Sequence, residues 1–90
     1  MLIEKLEKIL ENDFDKWIES PDGTKILALK TRGNMSIFNK SSGEELVSIA
    51  GEYEACYWVG ADRVVGHDYI ITTIFDAATG EKIRHVEATY

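Results

Sequence analysis

Few residues in this chain have side chains that do chemistry, and their spacing is plain. Two histidines (His67 and His85) and one cysteine (Cys56) are the soft ligands and the strongest nucleophile. A structural zinc site needs four ligands, usually paired by short spacings. Neither histidine belongs to such a pairing, so no metal site is expected. His67-Asp68 could orient a ring nitrogen, but it also reads as a turn between two strands. Nucleophilic catalysis needs a hydroxyl or thiol held beside a base. Ser41-Ser42-Gly43 lies in a turn without the strand–turn–helix setting of a nucleophile elbow. Cys56 stands among aromatics, where a free cysteine behaves as a small buried hydrophobe. The seven glycines occur singly, one per turn, and form no phosphate cradle. The expectation is a protein that is not an enzyme and holds no cofactor.

The segment that stands out joins acid to aromatic: Glu52-Tyr53-Glu54-Ala55-Cys56-Tyr57-Trp58-Val59. Read as one strand, it points Glu52, Glu54, Cys56 and Trp58 one way and Tyr53, Ala55, Tyr57 and Val59 the other. Tyrosine and tryptophan with charge at the margin are enriched where proteins meet proteins. Glu44, Glu45, Asp62, Asp68, Tyr69 and Tyr90 are candidates to extend such a surface. The plainer alternative is rings packed on the core with their hydroxyls in water.

Charge narrows the partner. Sixteen acidic against ten basic side chains give a net charge of −6. The lysines and arginines are scattered, whereas nucleic-acid backbones and anionic membranes demand clusters of them. An acidic surface attracts a basic protein, and steric and electrostatic occlusion of a basic groove is the mechanism that follows. Charges interrupt the apolar positions of the first eight residues, so no secretory leader is read and a cytoplasmic location is expected. Two glycosylation sequons, at Asn34 and Asn39, are then chance matches.

These side chains must be positioned by one domain, since 90 residues support a single modest core. Leu2, Ile3, Leu6, Ile9 and Leu10 recur at helical spacing and predict an amphipathic helix over residues 2–12, within an N-terminal unit of residues 1–14. From residue 16 onward, short β-prone runs alternate with turns. Strands are predicted at 16–19, 25–31, 35–39, 45–50, 55–59, 63–67, 69–76 and 82–86. Ser20-Pro21-Asp22-Gly23, Arg32-Gly33-Asn34, Ser41-Ser42-Gly43 and Ala78-Thr79-Gly80 separate them. Connections this short imply an antiparallel meander.

The strands also repeat. Ile37-Phe38-Asn39-Lys40-Ser41-Ser42-Gly43-Glu44 matches Ile74-Phe75-Asp76-Ala77-Ala78-Thr79-Gly80-Glu81 in phase. Upstream, Trp17-Ile18-Glu19-Ser20 is similar to Trp58-Val59-Gly60-Ala61. The chain thus divides into a first β-repeat, 16–51, and a second, 52–90. With Ser20-Pro21-Asp22-Gly23, the apolar strand at 26–29 and Ile37-Phe38-Asn39 before Gly43-Glu44, the first repeat resembles one blade of a WD40-like or quinoprotein-like β-propeller. The second resembles a degenerate blade. Phe38-Asn39 and Phe75-Asp76 stand where a Trp-Asp pair is expected, and two units are too few to close a ring of about 4–8 blades.

Two architectures follow. In the first, a mostly β α+β fold, the helix packs on a self-contained meander or small barrel of seven or eight short strands. In the second, copies of a two-blade chain assemble into a propeller and bind a ligand at the blade junctions. The functional expectation from the first is a small, acidic protein-binding module. Small immunity proteins and phage-encoded inhibitors of host defences are comparable in size and charge. Its contacts would come from Glu44, Glu45, Glu52, Glu54 and Asp62, anchored by Tyr53, Tyr57 or Trp58, with Asp68 and Tyr69 adjoining.

Overall fold

The computed structural model describes residues 2–87; Tyr90 lies outside them. One helix and eight strands follow in order: α1 (Glu4–Asp13), β1 (Lys16–Glu19), β2 (Lys25–Leu29), β3 (Gly33–Asn39), β4 (Glu45–Tyr53), β5 (Ala55–Val59), β6 (Arg63–His67), β7 (Ile71–Asp76) and β8 (Lys82–Glu87). All the pairings are antiparallel between neighbours in sequence. The chain forms two separate four-stranded sheets, β1-β2-β3-β4 and β5-β6-β7-β8, so the described residues do not close a barrel.

The layers run α1, first sheet, second sheet. The middle layer is covered on both sides, which is why β2 reads as an unbroken apolar run. Ile26 and Ala28 point toward the helix, while Leu27 and Leu29 point toward the second sheet. Between the sheets, Leu27, Leu29, Met35, Ile37, Val47 and Ile49 meet Cys56, Val64, Phe75 and Ala77. On the far side, Leu6 and Leu10 of α1 bury against Ile26, Ala28 and Phe38, and Phe14 meets Phe38 edge-on at 5.7 Å. Ile3 gives the helix no side-chain cap, and no basic residue sits in its last turn. Its own propensity and dipole therefore contribute little, and packing of the leucine stripe holds it.

Two glycines permit the sheet contact. A Cβ at Gly66 would stand 2.7 Å from Met35 Cε and 2.8 Å from the Tyr53 ring, so only glycine lets β6 approach the first sheet this closely. Gly80, at φ +79°, turns the chain into β8 with Val47 Cγ1 only 2.7 Å from where its Cβ would be.

Several expectations need correction. The helix starts and ends later than the 2–12 reading, bounded by extended backbone at Ile3 and Phe14. Tyr69 and Ile70 are not in a strand; they form the turn before β7. The acid–aromatic segment is not one strand, since the chain bends at Glu54 as it leaves the first sheet for the second. The bend breaks the alternation, and Tyr53 packs on the inter-sheet core together with Trp58, its ring 5.9 Å from Phe75. The register of the repeats also shifts. Ile18, Leu27, Ile37 and Val47 form a row across the first sheet, and Tyr57, Val65, Ile74 and Arg84 form the equivalent row across the second. Trp17 therefore matches Cys56, and Trp58 matches Glu19.

Candidate functional site

The bend at Glu54 and two turns beside it create a cleft. Glu54 N–H donates to the His67 carbonyl, joining the crossover to the end of β6. After His67 the chain reverses around Asp68. Its Oδ1 accepts from Ile70 N–H at 3.1 Å and Ile71 N–H at 2.8 Å, and its own N–H donates to the Ile71 carbonyl. A carboxylate that ties down two backbone donors makes a stiff turn. That turn holds Tyr69 and Ile70 outward, 73% and 51% exposed.

The opposite wall comes from the first sheet. Arg32 sits in the left-handed region at φ 63°, a conformation uncommon for a side-chain-bearing residue, and its N–H donates to the Tyr53 carbonyl at 2.8 Å. Its guanidinium lies 3.4 Å from Glu54 Oε1. An exposed pair of this kind adds little stability, and its consequence here is to fix Glu54 against the wall.

The resulting cleft, of about 420 Å³, is lined by Arg32, Glu52, Glu54, Asp68, Tyr69, Ile70 and Ile71. Three carboxylates and one guanidinium line it, with Glu54 alone paired to Arg32, beside a tyrosine ring and two isoleucines. A smaller cleft of about 220 Å³ adjoins it, sharing Glu52, Asp68 and Ile71 and continuing to Lys82 and His85. Tyr53 borders this second cleft, and burial, followed by the negative charge of Asp68, raises its hydroxyl above the ordinary range. Among the described residues no three His, Cys, Asp or Glu side chains are grouped to hold a metal ion. No described helix is long and apolar enough to cross a membrane.

The structure brings Glu52, Glu54, Asp68 and Tyr69 together, with Tyr53 adjacent. It disperses the rest. Glu44 and Glu45 are exposed at the β3–β4 turn, with Glu45 in a separate cleft beside α1 that also contains Asp13 and Lys30. Tyr57 is exposed on the outer face of the second sheet. Trp58 is half-buried, its indole Nε1–H donating to the Ile18 carbonyl at 2.9 Å, which makes it a tie between the sheets. Asp62 is exposed in the β5–β6 turn, where its carbonyl accepts from Ala77 N–H. Burial pushes the Cys56 thiol up to about 11, with Lys16 opposing weakly, so it is protonated and inert at neutral pH.

Arg32, Ile70 and Ile71 were not among the sequence candidates. Arg32 carried a faint signal, because it stands beside Gly33 in a turn and turns adopt left-handed backbone. Ile70 and Ile71 carried none, since two adjacent isoleucines read as strand interior. Compared with known protein families and with curated proteins, the chain matches no family and no individual protein.

Proposed function

We propose that this protein is a non-enzymatic binding module that docks on a basic protein surface through the cleft between the Arg32 and Asp68 turns. A lysine or arginine side chain of the partner enters beside Glu52, Glu54 and Asp68, and its aliphatic stem lies on Tyr69 and Ile70. The partner is inhibited by occlusion of that surface. The observation that carries this is that Glu52 and Glu54 line one cleft with Asp68 and the outward Tyr69 and Ile70 of a stiff turn. Aromatic and aliphatic contact supplies affinity, while charge supplies steering and register. The setting is the cytoplasm, and a single buried cysteine suits that reducing compartment.

The test compares wild type with Glu52→Lys/Glu54→Lys as bait at low and high salt. A partner held by wild type, lost by the variant and weakened by salt supports the proposal. A partner held equally by both, whatever the salt, overturns it.

The alternative of a two-blade subunit is favoured by the two stacked meanders and their common register. Against ring closure stands α1, which occupies the face of the first sheet that a preceding blade would use.

A further inference from the structure

The repeat register shows which surface of the second sheet lacks a cover. Its inner face, carrying Val64, Gly66 and Phe75, packs on the first sheet just as the equivalent Ile26, Ala28 and Phe38 pack under α1. Its outer face is equivalent to the face of the first sheet that the second sheet covers. On that outer face Tyr57, Val59 and Val86 remain 48%, 45% and 52% exposed. Between them Ile74 is half-buried and Val65, at 2% exposure, is covered by its own neighbours, while Arg63 and Arg84 stand at the margin. An apolar centre with a polar rim is the anatomy of an interface.

We propose that this face binds a second copy of the chain in a two-fold dimer whose axis runs parallel to the strands, between β6 and β7. Such an axis exchanges β5 with β8 and β6 with β7 and leaves position along the strands unchanged. Each row then meets its own copy reversed. In the central row Tyr57 meets the partner's Arg84, and the partner's half-buried Ile74 lies over the covered Val65. In the next row Arg63 meets the partner's Asp76, whose Oδ1 caps the β7–β8 turn through Ala78 and Thr79 while its other oxygen takes no part in that cap. In the third row Ala55 meets the partner's Val86, and His67 meets the partner's Thr72. The pairing places a guanidinium on a ring, a guanidinium on a carboxylate and apolar on apolar.

An in-plane axis perpendicular to the strands and through the central row would stack Arg84 on Arg84, so at that row charge favours the parallel one. The dimer is a six-layer stack closed by α1 at both ends, and closure at both ends stops growth at two copies. One face of a four-stranded sheet, with Tyr57, Val59 and Val86 as its exposed apolar side chains, is a small surface, which belongs to weak, reversible association. The cleft's second wall, Asp68 to Ile71, adjoins His67 and Thr72 at one end of this face, but Tyr57 and Arg84 line no part of the cleft, so variants at those two positions test the dimer apart from partner binding.

The test is the native mass of the full chain by light scattering from micromolar to millimolar concentration. Wild type is expected to climb from 10.2 kDa toward twice that value and to stop there. Tyr57→Lys sets like charges together and should weaken association at least tenfold. Adding Arg84→Glu should restore it. In one chain these two residues lie about 14 Å apart, at the opposite edges of the sheet, so rescue reports contact between copies. Thermal melting of each variant confirms that it is folded. A wild type that stays at 10.2 kDa at millimolar concentration, a Tyr57→Lys variant that dimerises normally, a double variant no better than the single, or a mass beyond two copies each overturns the proposal.

Discussion

At the scale of single residues, the turns hold more of the local order than composition suggests. Asp22 Oδ1 accepts from Ser20 Oγ, Thr24 N–H and Thr24 Oγ1, and these bonds, that from Ser20 first, bring its carboxyl down to about 2. A carboxyl lowered on folding contributes stability above its ordinary value of 3.8, and that contribution is lost as pH falls toward about 2. Urea unfolding followed across this window should show wild type weakening with acid and Asp22→Asn showing a flatter slope. An identical slope in both would contradict the assignment. Cys56 gives a second check. With its thiol raised to about 11 and its side chain in the inter-sheet core, it should react with an aromatic disulfide reagent far more slowly in the native protein than in denaturant. Equal rates would place Cys56 outside the core.

At the scale of elements, α1 acts as a lid on the first sheet, and Leu6 and Leu10 are its anchors. Leu10→Ala should cost about 2–5 kcal/mol, read from denaturant midpoints, because both leucines are fully buried. Gly66→Ala should cost about 1–3 kcal/mol, because the added methyl meets Met35 and Tyr53 in packed surroundings. Three predicted strands, 16–19, 55–59 and 63–67, coincide with β1, β5 and β6, and the other five differ only at their ends. They were legible because turn residues mark the hairpins: Gly23, Gly43, Gly60 and Gly80 all take positive φ. The crossover at Glu54 was not legible. Neither glycine nor proline breaks the run from Tyr53 to Val59, and the contacts that accompany the bend are distant in sequence: Tyr53 on Phe75, and Glu54 N–H on the His67 carbonyl. That bend also separates two sheets from one barrel, so of the expected meander or small barrel the described residues form two meanders.

At the scale of the whole molecule, the arrangement is a stack of α1 and two meanders with an acidic cleft where the chain passes from one sheet to the other. Four of the seven residues that line the cleft were readable in advance. Glu52, Glu54, Asp68 and Tyr69 drew notice as acid beside aromatic. Arg32 and Ile70 did not, because only the fold brings the β2–β3 turn within 3.4 Å of Glu54. Glu44 and Glu45 shared the same chemistry and ended elsewhere, since the β3–β4 turn projects from the first sheet away from the crossover.

The central claim is that this cleft accepts a basic side chain. The most direct measurement is an amide chemical-shift titration of the full chain with a short lysine- and arginine-rich peptide, set against a glutamate-rich control. The account predicts shifts concentrated at Arg32, Glu52, Glu54 and Asp68 to Ile71, abolished by Glu52→Lys/Glu54→Lys and absent with the control. Shifts centred on Glu44 and Glu45 or spread evenly over the acidic surface, or no shifts with the basic peptide, would contradict it.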